Sequence, residues 1–284
     1  MNLLSKFWHG VAIAVLAAPV WAGIANDIRS CYTANKITLP APQIERELFI
    51  LVDQTTPLDA GLQASVRENV GRLVKPGTAY VVASFSSFGQ GRYLEILSAG
   101  TLEGSIDENK RDDISVKLLR SFDACMQKQL GYGLKAASAA LNKALEGSRP
   151  DFARSDVMAS LKELSSRVRQ STAHDKLVFI ISDMLENSSV SNFYANRNVR
   201  ALNPAKEMKA AEAAQQIGDF ADARVFILGA GLVQENTGGR NKDNGVYRDP
   251  KTLALLRQFW EEYFTRSNAK IIEFGMPALI APVR

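Results

Sequence analysis

Three short stretches carry oxygen-bearing side chains beside apolar runs: Asp53-Gln54-Thr55-Thr56-Pro57, Ser155-Asp156, and the Asp183 that ends "KLVFIISD". Carboxylates and hydroxyls are hard donors, so Asp53, Thr55, Ser155, Asp156 and Asp183, if gathered, suit Mg²⁺ or Mn²⁺ completed by water. An acid directly after a buried strand can also act on phosphate. The structural alternative is that Asp53 and Thr55 cap a helix beginning near Leu58. There an acid meets the positive end of the helix dipole and Pro57 suits the first turn.

Other chemistry has thinner support. "GYGLKA" and "GAGLVQ" lack the spacing and position of a dinucleotide fingerprint, and no G-x-S-x-G elbow or paired-cysteine metal motif occurs. His174 lies just ahead of a buried strand, where a loop residue is expected rather than a general base. The formal charge of +4 is mild and its basic residues are spread along the chain, which excludes a dedicated nucleic-acid binder.

The elements that must position these residues alternate. Leu48–Val52 is uniformly apolar and reads as a central strand covered on both faces. Leu58, Leu62, Val66, Val70 and Leu73 then recur at helical spacing. "AYVVASFSS" and "RYLEILSAG" form an antiparallel pair through "FGQG". A long helical region runs from about Asp113 to Leu145, interrupted at Gly131-Tyr132-Gly133. "SDVMASLKELSSRV" opens on Ser155 or Asp156 as N-cap, and "KLVFIISD" follows as a second buried strand. A helix from about Pro204 to Phe220, the strand "RVFILGAGL", a helix through "TLALLRQFWEEYF" and the strand "KIIEFG" complete the alternation. The pattern implies a three-layer α/β fold with a mainly parallel sheet and one short antiparallel strand. In such a sheet ligands bind beyond the carboxyl ends of the strands, where strand order reverses.

Two polar loops, 185–203 and 233–249, are longer than most connections in a compact α/β domain and point to binding or disorder. The first interleaves Phe193 and Tyr194 with Arg197 and Arg200, residue types that dominate interface hot spots. The alternative is that Phe193 or Tyr194 folds back onto the core.

The chain opens with "VAIAVLAAPVWAGIA" after Lys6, which reads as an export signal, residues 1–22, cut after Ala22 or else after Ala25. The competing reading is an uncleaved membrane anchor. No later segment is apolar enough to span a membrane. A leader, 23–46, then precedes one domain, 47–284. Export to the periplasm or beyond makes a Cys31–Cys125 disulfide the expectation for the two cysteines. The alternative places Cys125 in a helical core face with Ile114, Leu118, Phe122 and Met126.

The succession of strand, acid-hydroxyl turn, helix, antiparallel hairpin, Ser-Asp helix start and strand closing on Asp covers nearly all of residues 47–276. It resembles the von Willebrand factor A (vWA) domain family. That family's metal-ion-dependent adhesion site has Asp-x-Ser-x-Ser after the first strand, a Thr-Asp pair in a later loop, and an Asp after the fourth strand. By this resemblance Asp53 and Thr55 match the first acid and hydroxyl, Ser155 stands for the loop Thr with Asp156 beside it, and Asp183 matches the last acid. Pro57 departs from the pattern, because it takes the second serine's place and supplies no side-chain oxygen. The resemblance implies a Rossmann-like vWA fold, a Mg²⁺ or Mn²⁺ site, and a protein partner whose acidic residue completes the metal shell. Pro57 leaves either a weaker site with a water in the vacant position or a metal-free scaffold that binds through loop aromatics and arginines. Asp53–Leu58 also looks like the D-x-T-G-T motif of haloacid-dehalogenase-like phosphatases, with Asp53 as nucleophile. That reading needs a later hydroxyl such as Ser86 or Ser87, a Lys, and a paired acidic motif answered only by Asp183, with Glu186 a poor second.

Overall fold

A computed structural model of the chain describes residues 28–89, 92–149, 155–195, 198–233 and 249–284. The expected signal segment, Arg197 and most of the 233–249 loop lie outside the described residues. The elements in chain order are α1 (Cys31–Ala34), β1 (Arg46–Asp53), α2 (Ala60–Leu73), β2 (Thr78–Gly89), β3 (Arg92–Thr101), α3 (Glu108–Arg111) and α4 (Val116–Glu146). They continue with α5 (Val157–Gln170), β4 (Asp175–Ile181), β5 (Tyr194–Ala195), β6 (Asn198–Val199), α6 (Pro204–Ala213), β7 (Ala223–Leu228), α7 (Pro250–Arg266) and β8 (Ala269–Phe274).

Six strands form one sheet in the order β3-β2-β1-β4-β7-β8, and every pairing is parallel except β2 with β3. This is a three-layer, Rossmann-like α/β arrangement with helices on both faces of the sheet. The antiparallel strand is not short, however: β3 runs for ten residues. β1 lies at the centre and is buried from Leu48 through Asp53, as its unbroken apolar run requires. Phe49, Leu51, Val178, Ile180, Val225 and Ile227 face α5, α6 and α7. Leu48, Ile50, Val52, Phe179 and Ile181 face α2 and α4. Val283 joins that second face, and its N–H donates to Asn69 Oδ1 at 2.8 Å, so the C-terminal tail extends the cover that the two helices provide.

Two local expectations change. α4 is continuous for 31 residues, with no interruption at its glycines. A Cβ on Gly133 would lie 2.6 Å from Leu102 Cδ2, so that glycine admits the end of the sheet against the helix. Its propensity penalty of about 1 kcal/mol is small beside the packing of the helix face. The cap of α2 is Asp59, whose Oδ1 accepts Leu62 N–H at 2.8 Å, and not Asp53 or Thr55. The first acid is therefore released from the structural duty that would have explained it.

The leader is fixed to the body. Cys31 and Cys125 form the expected disulfide, joining α1 to α4. Around it Tyr32 packs edge-on to Phe122 with ring centroids 4.9 Å apart, and Cys31 N–H donates to Glu103 Oε2 at 2.6 Å.

Candidate functional site

From β1 the chain moves outward through β2 and β3, then returns across β1 to β4, so strand order reverses between β1 and β4. A ligand crevice in an open α/β sheet falls at that point, past the carboxyl ends of the strands. Val52 is in register with Ile181, so Asp53 and the pair Ser182-Asp183 leave the sheet side by side.

Each acid turns back on its own chain. Asp53 Oδ1 accepts Thr55 N–H at 2.9 Å, and Asp183 Oδ1 accepts Leu185 N–H at 2.8 Å. Aspartates make such turns readily, because their carboxylate reaches the amide two residues on. The second turn carries strain. Met184 is fully buried at φ 59°, a left-handed conformation that a non-glycine residue adopts at a cost of about 1–2 kcal/mol. Trp260 Nε1 donates to Met184 O at 2.9 Å and holds that turn from the α7 side.

Hydroxyls complete the acids. Asp53 Oδ1 also accepts Thr55 Oγ1–H at 2.6 Å, while its Oδ2 accepts Ser182 Oγ–H at 2.7 Å and Ser155 Oγ–H at 3.3 Å. Asp183 Oδ2 accepts the Tyr194 hydroxyl at 2.6 Å, and Asp183 N–H donates to Thr56 Oγ1 at 3.3 Å. The structure thus brings together Asp53, Thr55, Ser155 and Asp183 as their sequence positions suggest. It is Ser155 that meets Asp53, while Asp156 occupies the N-cap position of α5 and donates its N–H to Ser86 O at 3.2 Å.

Among the described residues, no basic side chain forms an ion pair with either acid. Burial raises Asp53 above the usual carboxylate range against the pull of Thr55, Ser182 and Ser155. Burial, and then the negative charge of Asp53, raises Asp183 to about 8. Two desolvated carboxylates cannot both keep their charge uncompensated, so the pair holds a proton or takes a cation.

Glu186 has a different task. Its Oε2 accepts Met158 N–H at 2.8 Å, which caps α5 from a loop far away in sequence, where Asp156 makes no side-chain cap. Burial raises this carboxyl to about 8 as well. Ser155 and Asn187 exchange backbone hydrogen bonds, so the segment after β4 is tied to the start of α5.

The aromatic pair in the 185–203 loop divides. Phe193 is buried, edge-on to Phe259 at 5.1 Å between ring centroids, and is not the exposed contact residue expected of an interface. Tyr194 is half-buried and covers Asp183. Arg200 donates to Asn192 O and Glu207 Oε1, each at 2.8 Å, bracing the loop. Sequence reasoning missed Ser182, Thr56 and the role of Tyr194. Ser182 and Thr56 adjoin residues that were singled out, but only the turn geometry shows which hydroxyl faces inward.

The donor set fits a hard divalent cation in kind, with two carboxylates lacking basic partners amid hydroxyl oxygens. Among the described residues no group of three or more His, Cys, Asp or Glu is placed to hold a metal ion, so a cation here would rely on hydroxyls and water beyond the two acids. Pro57 brings no side-chain oxygen, and Tyr194 already holds Asp183 Oδ2.

No protein-family model matches the sequence, and no curated protein matches it. Among solved structures, an aerotolerance-related membrane protein from Bacteroides fragilis, crystallised with multiple mutations to serines, is similar over 81% of this chain and 92% of that one. The identity is 14% and the TM-score 0.36. The fold assignment rests on the sheet order, not on that likeness.

Proposed function

We propose that the chain is an exported vWA-like module that recognises another protein through the β1/β4 edge of its sheet. The observation that carries this reading is the pair Asp53 and Asp183, buried at the switch point and surrounded by hydroxyls from three separate segments. Mg²⁺ or Mn²⁺ bound there would act as a Lewis acid toward an acidic side chain of the partner. Asp183 would hold it, and Asp53 too once the Thr55, Ser155 and Ser182 hydroxyls that donate to it turn their own lone pairs toward the cation. The disulfide supports export, since such bonds persist in oxidising compartments. Among the described residues no helix is long and apolar enough to cross a membrane.

The phosphatase alternative gains nothing from the geometry. A nucleophilic carboxylate needs a lone pair open to an in-line phosphorus. Asp53 is 0% exposed, and both its oxygens accept hydrogen bonds from the protein. Glu186, the nearest candidate for a second acidic motif, is committed to the end of α5.

The test is thermal stability in EDTA and in saturating Mg²⁺ or Mn²⁺, for the wild type and Asp183→Ala. A cation at a hundredfold excess over its Kd stabilises by about 2.7 kcal/mol, a rise of about 5–10 °C for a domain of this size. A rise in the wild type that is absent in the variant supports the reading. No rise in either sinks the cation part and leaves the fold standing. Release of phosphate from an aryl phosphate that disappears in Asp53→Asn would overturn the non-enzymatic assignment.

A further inference from the structure

We propose that Tyr194 is an internal stopper for the carboxylate pair: its hydroxyl on Asp183 Oδ2 occupies the position a divalent cation must take, so cation binding and the seated β5–β6 hairpin exclude one another. This rests on the cation reading above and adds to it a route by which occupancy reaches the protein surface. Three observations place the device. The contact is short at 2.6 Å and is made to a carboxylate 3% exposed, so an incoming cation meets Tyr194 rather than open water on that oxygen. The other Asp183 oxygen is held by Leu185 N–H within the strained turn, which leaves Oδ2 as the oxygen free to change partner.

The third observation is how the stopper is mounted. Phe193 is locked in the core, and its backbone N–H donates to Glu186 O while its carbonyl accepts Arg200 N–H, both at 2.8 Å. One residue further, the pairing among the described residues is a ladder of two residue pairs, Tyr194 with Val199 and Ala195 with Asn198. Tyr194 and Val199 pack on the outside of the core, so Tyr194 can swing away by opening two pairs and lifting these two side chains while Phe193 stays in place. Successive residues of an extended segment point to opposite sides, so the anchor and the stopper are necessarily neighbours. When Tyr194 leaves, the Tyr194–Ala195 and Asn198–Val199 pairing opens within the loop already expected to meet a partner.

Two measurements at one fixed pH test this. The first is Mn²⁺ affinity by calorimetry for the full chain and for Tyr194→Phe, which keeps the ring and removes the hydroxyl. Removing the competing hydroxyl should tighten Mn²⁺ binding severalfold, up to about tenfold. The second needs no variant: Mn²⁺ should speed amide hydrogen exchange at 198–199 in the wild type while leaving β4 protected. Equal Mn²⁺ affinity in wild type and Tyr194→Phe, or hairpin exchange unchanged by bound Mn²⁺, overturns the stopper and spares the cation site. No Mn²⁺ or Mg²⁺ binding in the wild type, Tyr194→Phe and Tyr194→Ala overturns the cation reading and the stopper with it.

Discussion

The same three strands end very differently at their two edges. At the amino edge Asp175 of β4 lies between Arg46 of β1 and Arg224 of β7, accepting from Arg46 Nε at 2.5 Å and from Arg224 at 2.8 and 2.9 Å. Burial works to raise its pKa, but the two guanidiniums outweigh it and hold the carboxyl below its usual range. At the carboxyl edge Asp53 and Asp183 are buried more deeply and have only hydroxyls and amides, and both are raised. An acid that serves the fold is given its counter-charge by the sequence. The pair at the switch point is left to find one, which separates a site from a strut.

The sharpest way to break that contrast is to delete the central acid. Asp53→Ala leaves Thr55, Ser155 and Ser182 hydroxyls without their buried acceptor. Orphaned buried donors cost about 1–3 kcal/mol each, less what relaxation recovers, so a loss of about 4 kcal/mol is expected in urea unfolding. A loss below about 1 kcal/mol would mean that the hydroxyls have other partners and that the site is less ordered than its distances imply.

The second effect is opposite pH dependence at the two edges, in EDTA. Asp183 and Glu186 titrate near 8 in the folded chain, against about 4 for a carboxyl in the unfolded chain. Between those values the folded state binds the extra protons. Their contribution is complete below pH about 4 and is lost as pH rises through about 8, at up to about 1.4 kcal/mol per pH unit for each proton. Asp175 has the reverse sign: its lowered pKa gives stability above pH about 4 that is lost as pH falls through the folded value. Asp183→Asn should flatten the slope between pH 5 and 8, whereas Asp175→Asn should lower the whole curve above pH about 4 and change its slope only on the acid limb. A wild-type stability that rises from pH 5 to 8 would contradict the raised pair. At neutral pH Asp175→Asn should itself cost about 1 kcal/mol, a modest figure because solvent screens this partly exposed cluster.

How much of this was legible follows from which signals are local. The buried strands β1, β4 and β7 show as unbroken apolar runs, and register then brings Asp53 beside Asp183 with no further information. Ser155 was legible as an oxygen donor beside a helix start. The cap of α5 was not, because Glu186 reaches it from a different loop and no spacing rule links residue 186 to residue 158. The division between Phe193 and Tyr194 was equally hidden. Extended neighbours must face opposite ways, but the sequence does not say which one meets the aromatic cluster of Phe259 and Trp260. The uninterrupted α4 was obscured by reading two glycines as a break, when one of them is required by contact with Leu102.

Glu186 supplies the smallest prediction and the one that refines the contrast most. Like Asp183 it is a buried acid raised to about 8, yet its carboxyl accepts the Met158 amide at the positive end of α5, where a negative charge would be favoured. Burial wins because the dipole contributes about 0.3–1 kcal/mol at exposed sites and about 2 at best, less than desolvation of a charge demands. A neutral side chain with one good acceptor should then serve as well as the acid at neutral pH. Glu186→Gln is expected to change stability by less than about 0.5 kcal/mol at pH 7, while Glu186→Ala removes the cap and costs about 1–2 kcal/mol. A Gln variant as damaged as the Ala variant would show that Glu186 is ionised, and that burial at this edge does not by itself set the charge of its acids.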